Sequence, residues 1–115
     1  MTYNAPLKRF LMCVTDGGNT VSKYDTYILE SDRMTGPWKL VTYLRQFGEQ
    51  AYFVNIPSKF ISPDGRTMWL CYSANWTDVG RLRAGKPAAL GSNPPGSGYA
   101  LCLQEIRLLS PRTQE

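Results

Sequence analysis

Four aromatic side chains in this sequence could stack on a sugar ring: Trp38, Tyr52, Tyr72 and Trp76. An aromatic face offers an apolar platform to axial C–H groups. Arg45, Gln50 and Asn75 could read the hydroxyls, because planar polar side chains match them in donors and acceptors. Each residue has a plainer role open to it. Trp38 follows a Gly-Pro turn, where core packing suffices, and Trp69 reads as core outright. Arg45, Gln50 and Asn75 could be solvated strand ends. Arg81-Leu82-Arg83 with Lys86 could meet an anion, against the plainer reading of a solvated basic loop. Nucleophilic and metal chemistry is poorly provided for. The 115 residues hold no histidine and no CxxC pair, so neither a His-dependent triad nor a zinc site is expected, and no metal or cofactor.

These residues must be carried by strands. Residues 9–15, RFLMCVT, form a short apolar run with Asp16-Gly17-Gly18-Asn19 as a turn behind it. Residues 23–30, KYDTYILE, are rich in Tyr, Thr and Ile. Gly36-Pro37 breaks the chain, and residues 38–44 resume as a strand. Residues 50–56 make the next strand, closed by Pro57. Ser62-Pro63-Asp64-Gly65 has Pro and Gly where a type I turn wants them. Residues 67–73 read as a buried strand, residues 76–97 as a long loop rich in Gly and Pro, and residues 99–109 as the last strand. A short helix over residues 101–109 is the one rival. No other segment holds a helical period, so little or no helix is expected.

Composition narrows the class. With 43% hydrophobic and 19% charged residues, the chain has the make-up of a folded domain and not of a disordered one. The length suits one domain with a modest core. The net charge of +4 is spread along the chain, without the basic stripe and interleaved aromatics of a nucleic-acid face. No apolar run is long enough to span a membrane. Residues 1–15 do not read as a signal peptide, since Lys8-Arg9 interrupts their apolar stretch; a cytoplasmic location is the expectation if Met1 is the true start. Cys13, Cys71 and Cys102 each fall inside an apolar run and read as small buried thiols.

The chain also repeats itself. Placing Cys13 on Cys71 lays Phe10-Leu11-Met12-Cys13-Val14-Thr15 on Met68-Trp69-Leu70-Cys71-Tyr72-Ser73. A polar, Gly-containing loop and a Tyr-led strand follow each run. Turn, strand, loop and strand recur in one order, which points to one sheet module used twice.

Three stretches carry a resemblance. Tyr3-Asn4-Ala5-Pro6-Leu7-Lys8-Arg9-Phe10-Leu11-Met12, the run from Ile28-Leu29-Glu30-Ser31 to Gly36-Pro37-Trp38, and Pro57-Ser58-Lys59-Phe60 with Asp64-Gly65-Arg66-Thr67-Met68-Trp69-Leu70 stand in order. Together they resemble blade hairpins of five-bladed β-propellers related to the arabinanase and β-xylosidase clan of glycoside hydrolases, over roughly residues 3–109. The resemblance implies an all-β fold of antiparallel, propeller-like blades, about two four-stranded sheets. Residues 1–48 would form one blade and residues 49–115 the other, as one structural unit. It implies that residues 4–8 and 62–66 turn at the bottom. Asp16, Glu49, Gln50, Tyr52, Ser73, Asn75 and Trp76 would lie near the top, rimmed by loop 76–97.

Glycoside hydrolysis needs two carboxylates a set distance apart. Asp16 and Glu49 are the pair that this mapping puts on one face, against the plainer reading of solvated turn residues. Enzymes of the clan carry three carboxylates on three earlier blades, which this chain does not hold. The expectation is therefore a sugar-binding module without catalysis of its own, like the last blades of a longer parent, with no nucleic-acid or membrane partner. Uncovered sheet faces predict homo-oligomerisation. A second reading is a small all-β interaction domain acting through loop 76–97. A third is a hydrolase assembled from several copies, each lending Glu49 or Asp16.

Overall fold

The computed structural model describes residues 1–16, 24–48, 51–75 and 99–109. They form an all-β architecture of two antiparallel sheets. The first holds β1 (Thr2–Asn4), β2 (Arg9–Asp16), β3 (Tyr24–Ser31) and β4 (Lys39–Phe47) in that order. The second holds β5 (Tyr52–Asn55), β6 (Thr67–Asn75) and β7 (Tyr99–Arg107). A single 3-10 turn, Ser58–Phe60, follows β5. The second sheet thus has three strands among the described residues, where four were expected. The helical rival for the last segment is overturned: Thr67 to Asn75 pair residue by residue with Arg107 to Tyr99.

The pleat decides what is buried. In β6 the alternate residues Met68, Leu70, Tyr72 and Ala74 are buried, and Trp69, Cys71 and Ser73 turn the other way. In β2 and β3 the buried side carries Leu11, Ile28 and Thr26. These two faces meet and, with Val54 and Ile56, make the core. Two expectations fail here. Trp69 is not core, because its even-numbered neighbours take the inward face. Tyr72 is not a sugar platform: it is 9% exposed and meets Phe47 edge-on, with centroids 4.8 Å apart. Burial also pushes its hydroxyl pKa up. Trp38 is half-buried and lies over Gly36, where an added Cβ would stand 2.9 Å from the indole ring.

Turn chemistry fixes one end of both sheets. Between β5 and β6 the Gly65 amide donates to the Ser62 carbonyl at 2.8 Å, as a type I turn requires. Asp64 Oδ1 accepts from the Ser62 hydroxyl at 2.6 Å and from the Arg66 amide at 3.0 Å. Those bonds, the hydroxyl's first, hold the Asp64 carboxyl below its ordinary pKa. The β1–β2 turn lies against this one, since Asn4 Nδ2 donates to the Gly65 carbonyl at 2.8 Å. The hydroxyl of Thr2 also donates to the Ile56 carbonyl. The two sheets therefore share a common lower end, and the ends of β2, β4 and β6 share the upper one.

The cysteines are thiols, each half-buried on a strand. Burial pushes the Cys13 thiol up to about 11, which keeps it protonated and inert at neutral pH.

Candidate functional site

The upper strand ends hold two separate groups of polar and aromatic side chains. The first is on the β1–β4 sheet. Asp16 ends β2 and stands opposite Asp25 of β3. Asp25 lies where the β3–β4 register shifts, and the irregularity lets its carboxylate reach across to β4. Its Oδ1 accepts from the Gln46 amide and its Oδ2 from the Tyr43 hydroxyl, both at 2.7 Å. The Gln46 bond first, then that of Tyr43, holds the Asp25 carboxyl below its ordinary range, and the nearby charge of Arg45 adds to this. Tyr43 stacks on Tyr27 at 4.8 Å and 24°. Its bond to Asp25 is the main cause that raises its own hydroxyl to about 12.

The chemistry of this group is that of a brace. Both Asp25 oxygens are engaged, and a general acid needs a raised pKa, not a lowered one. A pH signature follows. Asp25 titrates lower in the folded chain than in the unfolded one. Its contribution is present above the ordinary value of 3.8 and fades as pH falls through the folded value. Tyr43 titrates higher when folded. Its contribution is complete below 10.0 and is lost as pH climbs toward about 12. The melting temperature of the wild-type chain should therefore exceed that of Tyr43→Phe by a constant margin at neutral pH. That margin should shrink in acid and in strong alkali, and a margin independent of pH would refute the brace.

The second group is on the other sheet. Tyr52 opens β5 opposite Ser73 of β6, and its ring lies 4.7 Å from that of Phe53. Phe53 is 77% exposed and has φ of 53°. It sits in the irregular stretch of the β5–β6 pairing between Tyr52 and Asn55, and the Asn55 side-chain amide donates to its carbonyl at 3.1 Å. Left-handed backbone is uncommon for a non-glycine residue and costs roughly 1–2 kcal/mol. Tyr52 and Phe53 join Cys13, Thr15, Tyr24 and Val54 around a shallow groove of about 430 Å³. The groove runs where β5 passes the upper half of β2, since β1 pairs only with Arg9, Phe10 and Leu11.

The sequence candidates divide between these groups. Tyr52 and Ser73 are cross-strand partners, while on the other sheet Asp16 stands opposite Asp25 in register and Arg45 adds its charge near that carboxylate. Asn75 ends β6 with its backbone opposite Tyr99. Glu49, Gln50, Trp76, the basic residues 81–86 and loop 76–97 lie outside the described residues. Sequence reasoning missed Asp25, Tyr43 and Phe53. Two signals were there: an aspartate inside a Tyr-Thr-Tyr strand, where the residue is disfavoured, and a phenylalanine sharing strand parity with Asn55 instead of Val54.

A larger cleft of about 490 Å³ opens between the sheets near the lower end. Leu11, Ile28, Leu44, Met68, Ile106 and Leu108 line it, without an aromatic ring. Among the described residues no His, Cys, Asp and Glu side chains gather as a metal would need. No helix there is long and apolar enough to cross a membrane. No protein-family model, curated protein or solved structure matches the chain.

Proposed function

We propose that this chain is a partial β-propeller module that binds carbohydrate and performs no catalysis by itself. The observation that carries the reading is Phe53. A large apolar ring stands in solvent on a backbone conformation that disfavours it. Strain of this kind persists where a site uses it. With Tyr52 beside it, the ring offers the platform that a pyranose or furanose face requires. Thr15 and the Tyr24 hydroxyl, which line the same groove, supply hydroxyl-reading groups beside it. The hairpins of the sequence resemble those of carbohydrate-active propellers, and the carboxylate of Asp25, engaged at both oxygens, is no candidate for a general acid. The lower cleft, lacking aromatics, suits a sugar poorly.

Titration calorimetry with arabino- and xylo-oligosaccharides tests this. Phe53→Gly removes the platform and permits the left-handed backbone at no steric cost. Binding should weaken about tenfold, the worth of one good stacking contact, and the melting temperature should hold or rise. Failure of the wild-type chain to bind any oligosaccharide, or equal binding by Phe53→Gly, would sink the proposal.

A further inference from the structure

The internal repeat has a geometric consequence once faces are assigned. In the first sheet, Leu11, Cys13 and Thr15 of β2 face the second sheet, and their cross-strand partners Glu30, Ile28 and Thr26 share that face. In the second sheet the residues equivalent by the repeat are Trp69, Cys71 and Ser73. They face outward, with Glu105, Leu103 and Leu101 as their partners. The reverse also holds. Met68, Leu70 and Tyr72, which pack on the first sheet, are equivalent to Phe10, Met12 and Val14, which face away from the second. Each sheet thus has a front and a back. Within the chain, the front of the first sheet packs on the back of the second. Among the described residues, that leaves one front and one back uncovered.

Both uncovered faces expose large apolar side chains. Leu101 is 74% and Leu103 50% exposed, where their first-sheet counterparts Thr26 and Ile28 are 0% and 3%. Phe60 and Trp69 line a shallow hollow with Leu103. On the open back, Phe10, Met12 and Leu29 are flanked by Val14 at 41% and Leu40 at 58% exposure. The eight-residue strands β2 and β3 alone project this face over roughly 26 Å at about 3.3 Å per residue. Monomeric proteins rarely expose apolar patches of more than a few hundred Å².

We infer that copies of this chain associate head to tail, the open front of the second sheet packing on the open back of the first sheet of the next copy. The contact repeats the one already made inside the chain, front on back, so the occupant of each face is a second copy. It is heterologous and propagates into a ring or a short stack. The inference does not depend on sugar binding.

Light scattering after size exclusion at high micromolar concentration should give at least twice the mass of one chain. Hydrogen exchange on the same sample should slow on concentrating both in β2 and in β7. Two double variants resolve the pairing. Leu101→Asp with Leu103→Asp spoils the front, and Val14→Asp with Leu40→Asp spoils the back. Each alone should have the mass of one chain, and their mixture should form a one-to-one pair, each member lending its intact face. A wild-type mass of one chain would overturn the inference and leave these faces to a different polypeptide. So would protection confined to one of the two strands. So would a folded variant that associates by itself, or folded variants that ignore each other when mixed.

Discussion

Asn4→Ala is expected to cost about 2–4 kcal/mol of folding stability, from the loss of a buried, doubly used amide. Asn4 is fully buried. Its Nδ2 donates to the Gly65 carbonyl at 2.8 Å and approaches the Met68 sulfur at 3.4 Å, and its Oδ1 accepts from the Leu7 amide at 3.3 Å. One side chain therefore closes its own hairpin and ties it to a hairpin of the other sheet. Truncation leaves the buried Gly65 carbonyl with its partner gone. For a domain whose net stability is about 5–15 kcal/mol, this is a large share, worth on the order of 10 °C in melting temperature.

Gly65 is the other half of the same contact. Its φ is 75°, and an added Cβ would lie 2.6 Å from Asn4 Oδ1 and 2.8 Å from the Leu7 side chain. Gly65→Ala should thus be destabilising by a comparable amount, through backbone strain and collision. The two effects share their cause. With Asn4 already cut back, the methyl group of Gly65→Ala meets one obstacle fewer. The double variant should cost less than the sum by roughly 0.5–3 kcal/mol in denaturant unfolding. Strict additivity would show that the hairpins do not brace each other. Asn4→Asp adds a sharper test, because a carboxylate cannot donate to the carbonyl. At neutral pH it should cost more than alanine.

The turn at Ser62-Pro63-Asp64-Gly65 was legible because its chemistry is local: the hydrogen bonds that set it span a few residues. So were most strands, whose ends fall within a few residues of their apolar runs. The bond from Asn4 to Gly65 spans 61 residues, and nothing in either hairpin announces the other. The same holds for the Asp25 brace, whose partners lie 18 and 21 residues away across a shift in register. The resemblance supplied four-stranded blades, and the described residues give the second sheet three strands. Periodicity revealed the two faces of β6 but not which of them is inside, since both are apolar. That ambiguity put Trp69 in the core. A strand uncovered on one side among the described residues, with apolar side chains on both, looks in sequence like a strand buried on both.

The neighbouring pair Trp69 and Leu70 turns that ambiguity into an experiment. Leu70 is fully buried between the sheets, and Leu70→Ala should cost about 2–5 kcal/mol through lost transfer energy and the cavity left behind. Trp69, the larger residue by far, is half-buried on the opposite face beside Phe60 and Leu103. Trp69→Ala should cost clearly less in chemical unfolding, measured at concentrations low enough to keep chains apart. A size ranking alone would predict the reverse, since a core tryptophan truncated to alanine loses about 3–5 kcal/mol. The order of the two losses therefore reports which face of β6 is inward in solution. Finding Trp69→Ala the worse of the two in dilute protein would mean that the sheet is turned over. The assignment of open front and open back would then fall with it.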